Sequence, residues 1–256
     1  MSWECQEDNG IRYYRSRQLA RFPWLWQAFS TRGPVAGETG KGEETEGTAG
    51  VKEQATAAGF FNLFGLTPDR VQMVKQVHGD RVLVVDEPRP GEELPPADAM
   101  ITNRPGVGLV TIHADCVPVV LVDPVRRVIG AVHAGWKGTL AGIVPKTVAR
   151  MAAEYGSRPA DCWAAIGPAI GACCYRVSPE RIKLFQEKWP WLDLAVASRE
   201  TVLDLVGINQ QLLEKIGVAP GRIDRAGLCT SCQAADFYSF RRDQTTKRML
   251  SLIMMK

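Results

Sequence analysis

With 256 residues, 45% of them apolar, the chain can fold as one large domain or two small ones and can bury a substantial core. Its net charge of +3 is small and its basic residues are scattered, which argues against a nucleic-acid-binding protein. There is no run of about 18 apolar residues to span a membrane. The start, "MSWECQEDNG", lacks the basic, apolar, small order of a secretory leader, so the expected location is cytoplasmic.

In chain order, "IRYYRSRQLARFPWLWQAFSTR" holds a first strand or two. "GPVAGETGKGEETEGTAG" follows, rich in Gly, Glu and Thr and nearly devoid of large apolar residues. Such a stretch cannot bury enough surface to offset the entropy of ordering, and residues 33–50 are expected as a mobile loop. "VQMVKQVHGDRVLVVDE" reads as two strands with His78-Gly79-Asp80 near the turn. "GVGLVTIHADCVPVVLVDPVRRVIGAVHAGW" reads as a longer strand pair, and "GTLAGIVPKTVARMAAEYG" as a helix interrupted by Pro145. Ser178-Pro179 has the order of an N-cap and first helical residue. "TVLDLVGINQQLLEKIG" is an amphipathic helix stopped by Gly217, and "RMLSLIMM" a closing strand. Strands and helices mix without a βαβ rhythm and no linker separates compact halves. The expected fold is therefore α/β, a single domain over 1–256 of mixed β-sheets with flanking helices.

Two of the three histidines, and one of the seven cysteines, lie in the long strand pair. Asp123-Pro124-Val125-Arg126 suits a turn, with Pro at its second position. A two-residue loop at 124–125 and a four-residue loop at 123–126 both set Cys116 directly opposite His133, with Cβ atoms about 5 Å apart. In a regular strand His113 points to the other face, in a supporting or purely structural role. A thiol facing an imidazole serves as an activated nucleophile or as half of a soft-metal site. A buried cysteine beside a satisfied histidine is the plain alternative. His78 is the only other histidine. A Cys-His-His set leaves a tetrahedral ion one open position, as in catalytic sites.

The remaining thiols invite blander readings. Cys229-Thr230-Ser231-Cys232 is a CxxC with no second CxxC or CxxH after it at finger spacing. It is read as Cys229 packed and Cys232 incidental, and the adjacent Cys173–Cys174 as packing.

"KQVHGDRV", "ADAMITNRPGVGLVTIHADCVPVVLVD", "GAVHAGWKGTLAGIV", "AIGPAIGACCYRV" and "CTSCQAADFYSFRRDQTTKRM" resemble, in order, the motifs of the YfiH family, also called laccase-domain or polyphenol-oxidase-type proteins. The resemblance runs from about Val71 to the C-terminus. It implies a single α/β domain and a metal, usually zinc with copper as the alternative, held by His78, Cys116 and His133. It also implies purine nucleoside phosphorylase activity, with adenosine deaminase and methylthioadenosine phosphorylase activity, on purine nucleosides and phosphate. Three departures stand out. Ala57-Ala58 occupy the place of an Asn-Arg pair, His113 that of a Thr or Ala, and Lys247 that of a common Gly.

Within that reading Asp115 is a candidate acid/base or partner to a ligand, with a plain turn or backbone-acceptor role as the alternative. Arg32, Lys137, Arg241 and Arg242 are candidates for phosphate, with a solvated face as theirs. "DFYSF" could stack on a purine, or Phe237 and Phe240 could pack in the core. A metal-free Cys116/His133 hydrolase or amidase editing cell-wall precursors stays open. A copper phenol oxidase is disfavoured, because three histidines are too few for a multicopper set.

Overall fold

The computed structural model describes residues 2–32, 57–89, 93–193 and 201–256; the expected loop at 33–50 lies outside them. Among the described residues, twelve strands form two six-stranded mixed sheets. The first contains, in spatial order, β1 (Trp3–Asp8), β2 (Ile11–Ser16), β3 (Leu25–Ser30), β12 (Met249–Met255), β7 (Gly108–His113) and β4 (Val71–Gln72). The second contains β11 (Ile223–Arg225), β10 (Trp163–Ile166), β8 (Val117–Asp123), β9 (Val128–Ala134), β6 (Ala99–Thr102) and β5 (Val82–Val84).

Apolar residues on both faces of the central strands demand cover on both sides, and they receive it. Between the sheets, Trp3, Phe29, Leu109 and Ile253 pack with Met100, Val120, Ile129 and Ala165. The outer face of the second sheet, with Val119, Leu121 and Val132, is covered by Val148 and Met151 of helix Ile143–Tyr155 and by Ile208 and Leu212 of helix Leu205–Lys215. The outer face of the first, with Val110, Leu250 and Leu252, packs on Phe60, Phe61 and Phe64, which lie in and after the helical residues 57–62.

Several boundaries follow local chemistry. Ser178 precedes helix Pro179–Lys188, as the Ser-Pro order predicts. Gly217, at φ +103, follows helix Leu205–Lys215 and its cap Ile216.

Two expectations are corrected. The helical segment after Trp136 breaks at Gly142 rather than at Pro145. Helix Trp136–Ala141 ends there in the left-handed region (φ 80°), and Pro145 falls in the first turn of helix Ile143–Tyr155, where its missing N–H costs nothing. The stretch from Gly108 to Asp123 is not one strand. It bends at residues 114–116, with Asp115 at φ +91, and passes from the first sheet to the second.

Candidate metal centre

The β8–β9 register differs from the expected one by two residues. The loop is 124–127, Asp123 pairs with Val128, and His133 faces Pro118. The Asp123 carboxylate accepts the N–H groups of Val125 and Arg126, and Arg127 (φ 56°) closes the turn in the left-handed region. A shift of two preserves the face of every side chain, so Cys116 and His133 stay on one side as a diagonal pair. Cys116 lies one residue before β8, at the end of the sheet-to-sheet bend.

His78 completes the group from the loop between β4 and β5, at φ +58. The ligand atoms of His78, Cys116 and His133 all lie within 4.8 Å of one another. The two imidazoles meet edge to face, with centroids 4.9 Å apart. His133 is buried, Cys116 half-buried and His78 exposed, which leaves the group one open side.

Asp98, just before β6, organises the group and was not singled out in the sequence. One carboxylate oxygen accepts from His133 Nδ1 and from the His78 N–H, each at 2.9 Å. The other accepts the N–H groups of Gly79 (2.7 Å) and Val77 (3.2 Å). The bond at Nδ1 leaves His133 Nε2 as the free donor, an arrangement typical of metal-ligating histidines. The available signal was a carboxylate opening the apolar run "AMIT", since a buried carboxylate requires partners. Burial raises the Asp98 carboxyl, but the bonds from His133, Gly79 and His78 outweigh it and hold it below its usual range.

Burial likewise opposes charge on the Cys116–His133 pair, and the pair overcomes it. Hydrogen bonds from His133 and His78 bring the Cys116 thiol down to about 6. Asp98 and Cys116 raise His133 to about 9. The protein thus favours a thiolate at neutral pH, the form that binds metal or attacks an electrophile. A soft sulfur and two imidazole nitrogens suit zinc. The cradle also requires a glycine: a Cβ on Gly135 would stand 2.8 Å from His78 Cδ2 and 3.2 Å from Cys116 Sγ.

His113 is not part of this group. It sits in β7, buried, with Nε2 2.7 Å from Ser251 Oγ and no hydrogen-bond partner at Nδ1. Burial, with help from His133 and Arg248, pushes it down to about 3. Asp115 has both carboxylate oxygens engaged, one by Thr230 Oγ1 and one by the Arg241 N–H, each at 2.6 Å. It therefore ties the C-terminal segment to the residue beside Cys116.

The phosphate candidates separate. Arg241 lies over the Tyr175 ring (5.0 Å) and donates to the Arg176 carbonyl. Arg181, missed in the sequence, lies over the Trp136 ring at 4.2 Å; burial raises the Tyr175 phenol, the Arg181 charge opposes that rise and the Cys116 charge adds to it. Arg32 sits over Tyr238 and donates to the Ala234 carbonyl. Lys137 is exposed in a shallow groove with Trp136, Leu140, Leu184, Glu187 and Lys188. The Arg242 guanidinium is spent on the carbonyls of Thr230, Ser231 and Phe237 and on Asp243. Phe237 is core, against Tyr14, whereas Phe240 is half exposed.

Residues 47–256 match the family described as multi-copper polyphenol oxidoreductase laccase. The chain belongs to this YfiH/laccase-like family. Across 97% of its length it superposes on all of the Bacillus licheniformis protein YfiH, with a TM-score of 0.81 and 31% identity. YlmD from Geobacillus stearothermophilus gives 0.81 and 30%, with 98% of each chain covered. A Deinococcus radiodurans protein named purine nucleoside phosphorylase is 41% identical over 192 residues, 74% of this chain and 72% of its own. The mouse protein named purine nucleoside phosphorylase LACC1 is 34% identical over 197 residues, which are 75% of this chain but only 44% of the mouse protein. The match to the human LACC1 spans 42% of that protein, so the chain corresponds to less than half of these mammalian relatives. Among the described residues no helix is long and apolar enough to cross a membrane.

Proposed function

We propose that this chain is a zinc-dependent purine nucleoside phosphorylase with its chemistry at His78, Cys116 and His133. The carrying observation is the three-donor group with one open side and a carboxylate orienting His133. The names of the relatives, purine nucleoside phosphorylase, support purine nucleosides and phosphate as the substrate class, and we include methylthioadenosine among those nucleosides. Deamination of adenosine is a second activity of the same centre. Copper is the alternative ion, and the cytoplasm the expected compartment.

Zinc, when bound, supplies a Lewis acid for the base or the sugar-side oxygen. The protein's own residues do the rest. Asp98 holds the His133 ring in one tautomer, and bent backbone at 114–116 and 78 presents the other two donors. Arg241, over the Tyr175 ring, and Arg181, over the Trp136 ring, supply fixed positive charge for phosphate, and the half-exposed Phe240 offers stacking surface for a purine. Asp115, with both oxygens occupied, acts as a positioning residue for Arg241 rather than as a proton carrier.

The lowered Cys116 thiol gives one observation to a second reading, a metal-free Cys116/His133 hydrolase on amide substrates. A multicopper oxidase finds no such support, because His113 bonds Ser251 and only two imidazoles join the cluster.

Zinc-loaded chain is incubated with inosine or adenosine, with and without phosphate, and the products are separated chromatographically. The expected result is phosphate-dependent release of hypoxanthine, lost in Cys116→Ala, with a raised phosphate KM in Arg241→Ala. No turnover of either nucleoside with metal bound would refute the reading. Amide hydrolysis by chelator-treated chain would favour the second.

A further inference from the structure

A second cluster of metal-binding chemistry lies outside the centre already described. Cys173 and Cys174, from the loop after β10, meet Cys229 and Cys232, the CxxC, and all four sulfurs lie within 4.8 Å of one another. Cys232 Sγ stands 3.5 Å from Cys173 Sγ and 3.4 Å from Cys174 Sγ, and all four are free thiols. Four thiolates around a tetrahedral zinc, each at about 2.3 Å, stand about 3.8 Å from one another. The two Cys232 spacings fall a few tenths of an ångström short of that value and exceed a disulfide bond of about 2.05 Å by well over an ångström. The partner of the CxxC lies not after it in the chain but more than fifty residues before it, as two adjacent cysteines whose loop curls back on itself.

Polar groups face the cluster. The Gly171 N–H donates to Cys229 Sγ at 3.3 Å. The Arg242 guanidinium clamps the carbonyls of Thr230 and Ser231 inside the CxxC and places a positive charge beside the cluster. A Cβ on Gly171 would sit 3.2 Å from Cys173 Sγ and 3.3 Å from Cys229 Cβ. Cys173 and Cys232 are exposed, so an ion can enter.

We infer that Cys173, Cys174, Cys229 and Cys232 form a closed four-thiolate site for a zinc-class ion, distinct from the His78–Cys116–His133 group. With four protein ligands it has no open position, so its role is structural. It staples the loop carrying Tyr175 to the segment carrying Arg241. The same two segments bond Asp115, through the Ile170 N–H to its carbonyl and through Thr230 and Arg241 to its carboxylate. The staple therefore holds the cationic side of the candidate active centre at a fixed distance from Cys116.

The test uses full-length chain purified under reducing, anaerobic conditions and loaded with zinc alone. Cys116→Ala, which disables the first centre, should retain one equivalent of zinc, and its X-ray absorption should show a shell of four sulfurs with no nitrogen. Cys173→Ser/Cys232→Ser should lose that equivalent, and amide exchange over 229–242 should quicken. Three results would overturn the inference: no zinc retained by Cys116→Ala, a mixed nitrogen and sulfur shell in that variant, or a Cys173–Cys232 or Cys174–Cys232 disulfide in the anaerobic wild-type chain. Because the spectroscopic arm leaves all four cysteines in place, a misfolded double variant does not blunt the test.

Discussion

Asp98→Asn isolates the part of the centre that the sequence did not announce. The carboxylate serves four N–H donors, two on each oxygen: His78 and His133 on one, Gly79 and Val77 on the other. An asparagine of the same shape has one acceptor oxygen and one NH2 group, so either orientation turns donors toward two donors. Leaving a buried donor unpaired costs about 1–3 kcal/mol, so the variant should be about 3 kcal/mol less stable, most of it local to the 77–79 loop and the His133 ring. The flip that keeps Oδ1 on Gly79 frees His133 Nδ1 and its tautomer; the other flip frees the 77–79 loop that carries His78. Either way one ligand is misdirected, and loss of such a partner typically weakens metal affinity about 10–100-fold. Chelator competition reads the affinity and urea unfolding of metal-free chain reads the stability. Zinc binding within twofold of wild type would refute the claim that Asp98 orients the ligands, and a loss of less than about 1 kcal/mol would refute the four-donor account of its burial.

Gly135→Ala should weaken zinc binding and cost about 1–3 kcal/mol, because the added methyl meets His78 and Cys116 at 2.8 and 3.2 Å; chelator competition and thermal melts check it, and an unchanged affinity counts against the tight cradle. His113 is held at about 3 when folded against 6.5 when free, so the unfolded chain binds more protons between those values. Its contribution is complete above about pH 6.5 and is lost as pH falls, at up to about 1.4 kcal/mol per pH unit. His113→Gln should flatten the dependence of unfolding free energy on pH between 6.5 and 4; parallel curves for variant and wild type would show that the folded ring is not depressed.

The legible parts of this molecule are those governed by local pattern. Strands β8, β9 and β12 and the helix behind Ser178-Pro179 follow from apolar runs and cap residues; Cys116 is not directly opposite His133 as its spacing predicts, but an even slip of the register keeps the two on one side. What escaped depends on backbone conformations that composition does not encode. Asp115 in a positive-φ conformation splits a mostly apolar run between two sheets, and Asp123 with Arg127 lengthens the turn. Asp98, Arg181 and the four-cysteine cluster escaped for a different reason: each gains its meaning from a partner 20 or more residues away, His78 and His133 for Asp98, Trp136 for Arg181 and the other pair of thiols for each cysteine pair.

The bend at residues 114–116 also dictates how the chain is threaded. Among the described strands the chain changes sheet after β4, β6, β7 and β11, so neither layer is a continuous length of polypeptide. No single cut frees one layer from the other, and three residues carry the stitch that laces them beside Cys116. A residue inserted or deleted there would therefore shift the thiol and the alignment of both layers together, so the length of that stitch should tolerate far less change than the surface turn at 124–127.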